Sequence, residues 1–108
     1  MTFGSEHAEP DRAMIDSLLG PAVIEFGADW CGYCRAAQPL IGAALGGFPE
    51  VRHLKVADAR GRPLGRSFGV KLWPTLVFLR DGEEVARVIR PSRANSIARV
   101  LDTITPRH

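Results

Sequence analysis

Cysteine is scarce in this sequence: 108 residues contain two, Cys31 and Cys34. Two cysteines three positions apart cannot tie distant loops together, so a disulfide-framework scaffold is excluded. Histidine is scarce too, with only His7, His53 and His108. No Cys/His spacing matches a four-ligand zinc template, and no metal site is expected. Net charge is also small. Lys plus Arg is 14 and Asp plus Glu is 12, a net of +2, whereas a nucleic-acid binder of this size is strongly basic. The balance is uneven: residues 1–54 carry 3 basic and 7 acidic side chains, and residues 55–108 carry 11 and 5. One face is therefore locally positive, which reads first as solvated surface. No apolar run approaches the roughly 20 residues of a membrane helix. The start, Met1-Thr2-Phe3-Gly4-Ser5-Glu6-His7, lacks the basic and apolar blocks of a secretory leader, so a cytoplasmic protein is expected. Internal repeats and interdomain linkers are missing as well.

What is present suffices for one core. Apolar residues make up 45% of the chain, and the length suits a single domain over residues 1–108 with a loose start over residues 1–9. Pro10 to Leu19 reads as a short helix with an apolar stripe of Met14, Ile15, Leu18 and Leu19, stopped by Gly20-Pro21. Ala22-Val23-Ile24-Glu25-Phe26 is a compact apolar run with one acid inside, as in a strand buried on both faces. Ala36, Ala37, Leu40, Ile41, Ala44 and Leu45 have helical spacing, with Pro39 as a kink and Gly46-Gly47 as the end. Val51–Ala57 reads as a second buried strand, followed by a short helix that ends near Phe68-Gly69. Thr75–Leu79, the turn Arg80-Asp81-Gly82-Glu83 and the segment Glu84–Arg90 form a hairpin. Ser92 is the expected cap of a last helix, where Ile97, Val100, Leu101 and Ile104 recur at helical spacing. The order is helix, strand, helix, strand, helix, strand, strand, helix. It implies an α/β sandwich, a mixed sheet with helices on both faces.

Trp30-Cys31-Gly32-Tyr33-Cys34 falls where a buried strand gives way to a helix. The unpaired N–H groups of a helix N-terminus favour negative charge. Cys31 is therefore the expected exposed attacker as a thiolate, and Cys34, one turn further in, the buried resolving thiol. Gly32 permits the tight turn. The pair alone suits inert or metal-binding cysteines as well as redox chemistry; the strand–helix junction favours redox chemistry.

The stretch Phe26-Gly27-Ala28-Asp29-Trp30-Cys31-Gly32-Tyr33-Cys34 resembles the active site of the thioredoxin family. Trp73-Pro74-Thr75 before a strand, Phe68-Gly69-Val70, Asp81-Gly82 and the kinking Pro39 agree with it in order over roughly residues 21–104. The resemblance implies a thioredoxin-like three-layer sandwich with about four strands, the family's first strand being short or absent. It implies a protein-disulfide reductase with no bound cofactor and a redox-active Cys31–Cys34 disulfide. Reducing equivalents are expected from an NADPH-dependent flavoprotein, a thioredoxin reductase or its equivalent. The expected partners are protein disulfides, with no nucleic acid or membrane, and the chain is expected to be a monomer. In the family the proline at Pro74 is cis and faces the disulfide. Glu25 stands at the family's buried aspartate, which implies that it takes the proton of Cys34 through water; the simpler reading is an outward-facing acid at a strand end. Trp30 is expected to shield the sulfurs, and Trp73 to be either a core filler or an exposed lip of the substrate groove. Tyr33 replaces the usual proline between the cysteines. Its N–H is expected to favour the Cys31 thiolate and to place the potential between roughly −270 and −200 mV.

Other residues receive plainer readings. His53 is assigned to the strand surface. Lys55 receives no role, because Leu54 aligns with the lysine the family often places near its buried acid. Arg60, Arg62, Arg66 and Lys71 read as solvated surface, with a docking patch for an acidic partner as the alternative. The glycine expected after the last strand is replaced around Arg90-Pro91. Since Trp73 and Arg90 flank the family's substrate groove, a second class of function stays open: an adaptor or chaperone module with a dedicated partner. A periplasmic oxidant or isomerase would require a leader.

Overall fold

The strand Pro21–Gly27 (β1) is buried from Ala22 onward. In this computed structural model, which describes residues 9–59 and 61–106, the strand owes that burial to its neighbours. It lies in a four-stranded sheet with Arg52–Ala57 (β2), Thr75–Arg80 (β3) and Glu83–Ile89 (β4), in the order β2-β1-β3-β4. β2 runs parallel to β1, while β3 is antiparallel to both β1 and β4. Four helices cover the sheet: Arg12–Asp16 (α1), Gly32–Leu45 (α2), Pro63–Ser67 (α3) and Ala94–Ile104 (α4). The element order is the one the sequence predicts.

Strand alternation sorts the core into two layers. Val23, Leu76 and Phe78 point to one face, where Ala37 and Ile41 of α2 and Ile97, Leu101 and Ile104 of α4 pack on them. Ala22, Ile24, Phe26, Val77 and Leu79 point to the other, against Ile15 of α1, Leu64 of α3 and Phe68. Each such aliphatic or aromatic side chain stabilises the fold by about 1.5–3 kcal/mol. The same parity sends Glu25, two residues beyond Val23, toward the α2 side at the C-terminal end of β1. The β3–β4 hairpin turns on Asp81 and Gly82, both left-handed at φ 50° and 80°, the pattern of a type I′ turn. A Cβ on Gly82 would lie 2.0 Å from the Asp16 carbonyl oxygen, so no other residue fits there.

Several expectations are corrected. Val51–Ala57 is not a strand buried on both faces: among the described residues β2 lies at the edge of the sheet, and within it only Val56 is fully buried. The first helix is shorter than Pro10–Leu19. Asp11 caps it by accepting from the Met14 amide, and Met14 and Leu19 are exposed while Ile15 alone in α1 is fully buried. The cap of α4 is Arg93 with no side-chain bond, not Ser92. Glu9 is held rather than loose, accepting from the Leu64 amide at 2.8 Å and pairing with Arg62 at 3.6 Å. His7, Arg60 and His108, and the region before Glu9 where the family's first strand would lie, fall outside the described residues.

Candidate active site

α2 begins at Gly32, with Cys31 as its N-cap, earlier than the apolar spacing alone suggests. This start places the two sulfurs at one helix tip but in different surroundings. Cys31 is 7% exposed and lines a surface cavity of about 380 Å³ with Trp30, Tyr33, Leu72, Trp73 and Arg90. Cys34 is 1% exposed. The expectation of an exposed Cys31 is thus modified: its sulfur sits at the floor of a groove. The Cys34 amide donates to Cys31 Sγ at 3.2 Å, so the N–H that reaches this sulfur belongs to Cys34, not to Tyr33 as the sequence suggests. Burial, the hydrogen bond with Cys31 and the nearby negative charge of Glu25 push the Cys34 thiol up to about 12, against a partial offset from an Ala28 backbone contact. Left to itself, that thiol is a poor nucleophile at neutral pH.

Beneath Cys34 lies Glu25, 0% exposed. It is neither an outward-facing acid nor a lone one. Gln38 Nε2 donates to Glu25 Oε2 at 2.7 Å and to the Cys34 carbonyl at 2.9 Å. His53 Nε2 lies 2.8 Å from Glu25 Oε1. Lys55 Nζ lies 3.8 Å from Glu25 Oε2 and donates to Gln38 Oε1 at 2.7 Å. Two sequence readings fail here. His53 is not a bare surface residue, and Lys55 does adjoin the buried acid, because the β1–β2 register pairs Glu25 with Lys55. The signal was present as a period of two: Leu54 and Val56 face the inner core, leaving His53 and Lys55 on the side of Glu25. Gln38 was legible too, one helical turn after Cys34 on the same face.

Above the sulfurs the groove is aromatic and cationic. Trp30 is largely exposed and meets Trp73 edge to face at 5.3 Å between ring centroids. Trp73 is half-buried and lines the groove. Its Nε1 donates to Asp58 Oδ2 at 2.8 Å. Asp58 is buried and finds room only because Gly65 lacks a Cβ, which would fall 2.2 Å from Asp58 Oδ1. The Trp73–Pro74 bond is cis. Tyr33 is exposed, and the Arg90 guanidinium stacks 3.8 Å from its ring centroid. Arg90 also donates from Nε to the Trp73 carbonyl and from its backbone N to the Pro74 carbonyl, at 2.8 and 2.9 Å. Arg90 is left-handed, at φ 50°, where the family's glycine was expected. A non-glycine residue there stores strain of about 1–3 kcal/mol, which these contacts offset. Asp58 was not singled out from the sequence; Arg90 was noted only as standing beside the groove where the family's glycine was expected. Among the described residues no three His, Cys, Asp or Glu side chains gather as a metal site, and no helix is long and apolar enough to cross a membrane.

A family model described as thioredoxin matches residues 10–103. A thioredoxin from Chlamydia muridarum is 35% identical over 88 residues, which covers 80% of this chain and 85% of that protein. The solved structure of reduced thioredoxin 2 from Pseudomonas aeruginosa PAO1 aligns with a TM-score of 0.83 at 54% identity, covering 96% of this chain and 94% of the other. The chain belongs to the thioredoxin family. It is a thiol–disulfide oxidoreductase whose redox group is the Cys31–Cys34 pair, and thioredoxins need no bound cofactor. Protein disulfides and a reductase are the partners the family implies. In this chain Glu25 and its His53, Gln38 and Lys55 contacts lie below the pair, and Tyr33, Trp73 and Arg90 line the groove above it.

Proposed function

We propose that Cys31 attacks a substrate disulfide and that Cys34 resolves the product. In the first step the Cys31 thiolate forms a bond to one substrate sulfur, and the other leaves as a thiol after taking a proton from water. In the second, Cys34 loses its proton to Glu25 and attacks the Cys31 sulfur. The Cys31–substrate bond breaks, the substrate leaves fully reduced, and the protein is left as the Cys31–Cys34 disulfide. One observation supports this division most: Cys31 opens on the groove while Cys34 is buried, with its thiol pushed up to about 12. Trp30, Gly32, Tyr33, Trp73 and Pro74 form the groove and its support, with aromatic faces for an extended chain passing over Cys31. Electrons return from an NADPH-dependent flavoprotein reductase. The protein works as a monomer in the cytoplasm, on protein partners rather than nucleic acid or membranes. The small net charge and the confinement of both cysteines to the site, as suits a reducing compartment, support that reading.

The test is brief alkylation of the reduced protein near neutral pH with peptide mapping, alongside dithiothreitol-driven insulin reduction. Label is expected on Cys31 alone, and turnover is expected to vanish in Cys31→Ser and Cys34→Ser. Dominant labelling of Cys34 would reverse the roles. A wild-type rate no greater than the uncatalysed background would leave an adaptor with the thioredoxin fold.

A further inference from the structure

The proton that Cys34 gives up has to reach solvent, and Glu25 cannot release it there directly, because its side chain is fully buried. Among the described residues three side chains make polar contact with the carboxyl: Gln38, Lys55 and His53. Gln38 meets it through an NH2 group, which donates and has no lone pair to offer. The ammonium group of Lys55 likewise only donates. His53 Nε2 lies 2.8 Å from Glu25 Oε1; a neutral imidazole donates there as the Nε2–H tautomer and accepts from a protonated carboxyl as the Nδ1–H tautomer, so it alone of the three can take a proton. His53 is also the route outward: its side chain is 20% exposed, against 9% for Lys55 and 0% for Glu25.

We propose that His53 is the proton outlet of this active site, receiving from Glu25 the proton that Cys34 loses and handing it to water. It is a positioning and relay residue that never touches the sulfurs. The inference rests on the reading of Glu25 as the acceptor. The steps balance. The S–H proton of Cys34 moves to the Glu25 carboxylate, and the electron pair left on sulfur forms the bond to Cys31 Sγ. The Glu25 carboxyl then passes its proton to His53 Nε2, and the resulting imidazolium loses one to solvent. When the disulfide is reduced again, the same path runs inward and reprotonates Cys34. The groups that face Glu25 are His53 and Lys55 from β2 and Gln38 and Cys34 from α2; from β3 the register places Leu76 beside it, which carries no charge. Once His53 is protonated it cannot accept a second proton, so each proton it receives has to leave before the next arrives.

Reaction with 5,5′-dithiobis(2-nitrobenzoate) separates the two steps, because one nitrothiobenzoate leaves when Cys31 attacks and a second when Cys34 resolves. In His53→Gln, which keeps a donor for Glu25 but no proton acceptor, the second phase should be about tenfold slower at pH 8, below the full worth of a positioned base. The first phase should stay at the wild-type rate, which shows that the fold is intact. In His53→Ala, added imidazole should restore the second phase, and more basic methylimidazoles should restore it further; a purely structural gap would show no such dependence on basicity. A His53→Gln second phase at the wild-type rate, or a His53→Ala second phase indifferent to the basicity of the added imidazole, would overturn the proposal and leave His53 as a structural partner. If Glu25→Gln is slow while His53→Gln is not, only the outlet falls. If Glu25→Gln is also as fast as wild type, the acceptor reading falls with it.

Discussion

The two sides of the α2 tip solve opposite problems. On the groove side, around Cys31, side chains are exposed, aromatic or cationic: Trp30, Tyr33, Leu72, Trp73 and Arg90. On the floor side, under Cys34, they are buried, polar and bonded to one another: Glu25, Gln38, His53 and Lys55. Exposed aromatic and cationic surface suits contact with varied partners without a fixed pattern of donors, as the proposed groove requires. A closed set of donors and acceptors held at hydrogen-bond distance suits the transfer of one proton, the role proposed for the floor. Two sulfurs a single helical turn apart are thereby given different chemistry by what surrounds each.

The largest expected effect lies on the floor. Glu25→Gln keeps the shape and the contact with Gln38 but cannot take a proton, and is expected to slow resolution by on the order of 10²-fold. Single-turnover kinetics on a Cys31 mixed disulfide would measure it; an unchanged rate would show that the floor serves packing alone. Next comes the wall. Trp73→Phe removes the Nε1–H donor and leaves the buried Asp58 carboxylate without it, which should cost about 1–3 kcal/mol of stability by denaturant unfolding. Resolution chemistry in that variant should be intact.

A third effect follows from pH. Burial raises the Cys34 thiol from 9.0 to about 12 in the folded protein, so the native state holds this proton more tightly than the unfolded chain does. That contribution to stability is fully present below about pH 9 and is lost as pH rises from 9 toward 12. Unfolding of the reduced protein should therefore become easier over that window, and Cys34→Ala should flatten the decline; parallel curves would show that Cys34 is solvated. The smallest effect is expected at Tyr33. Because the amide that reaches Cys31 Sγ is that of Cys34, Tyr33→Pro in the first turn of α2 removes no bond to sulfur. It should move the potential by less than about 30 mV, the equivalent of roughly 1.4 kcal/mol, in equilibration with glutathione.

The groove side was more legible in the sequence than the floor. Trp30, Gly32, Tyr33, Trp73 and Pro74 sit beside the cysteines or in a local motif, and local patterns are what a linear reading captures. The strands, the hairpin at Asp81-Gly82 and the apolar face of α4 were equally local. The floor is assembled across the sheet. His53 and Lys55 join Glu25 only through the parallel register of β1 and β2, and alignment by position placed Leu54 there instead. Val51–Ala57 was read as doubly buried because its apolar content is high, while its edge position depends on strand order, which no local window contains. Arg90 shows the converse: the missing glycine was noticed, but the stacking on Tyr33 that makes an arginine tolerable there needs the fold.

One comparison tests the division of labour most directly: the two nitrothiobenzoate phases recorded side by side for Glu25→Gln and Arg90→Gly. Arg90→Gly relaxes the left-handed backbone and removes the guanidinium from the groove, so it should slow the first phase a few-fold and leave the second at the wild-type rate. Glu25→Gln should do the reverse, sparing the first phase and slowing the second by on the order of 10²-fold. If each substitution instead slows both phases in equal proportion, the groove and the floor do not serve separate sulfurs, and the division of labour between them is contradicted.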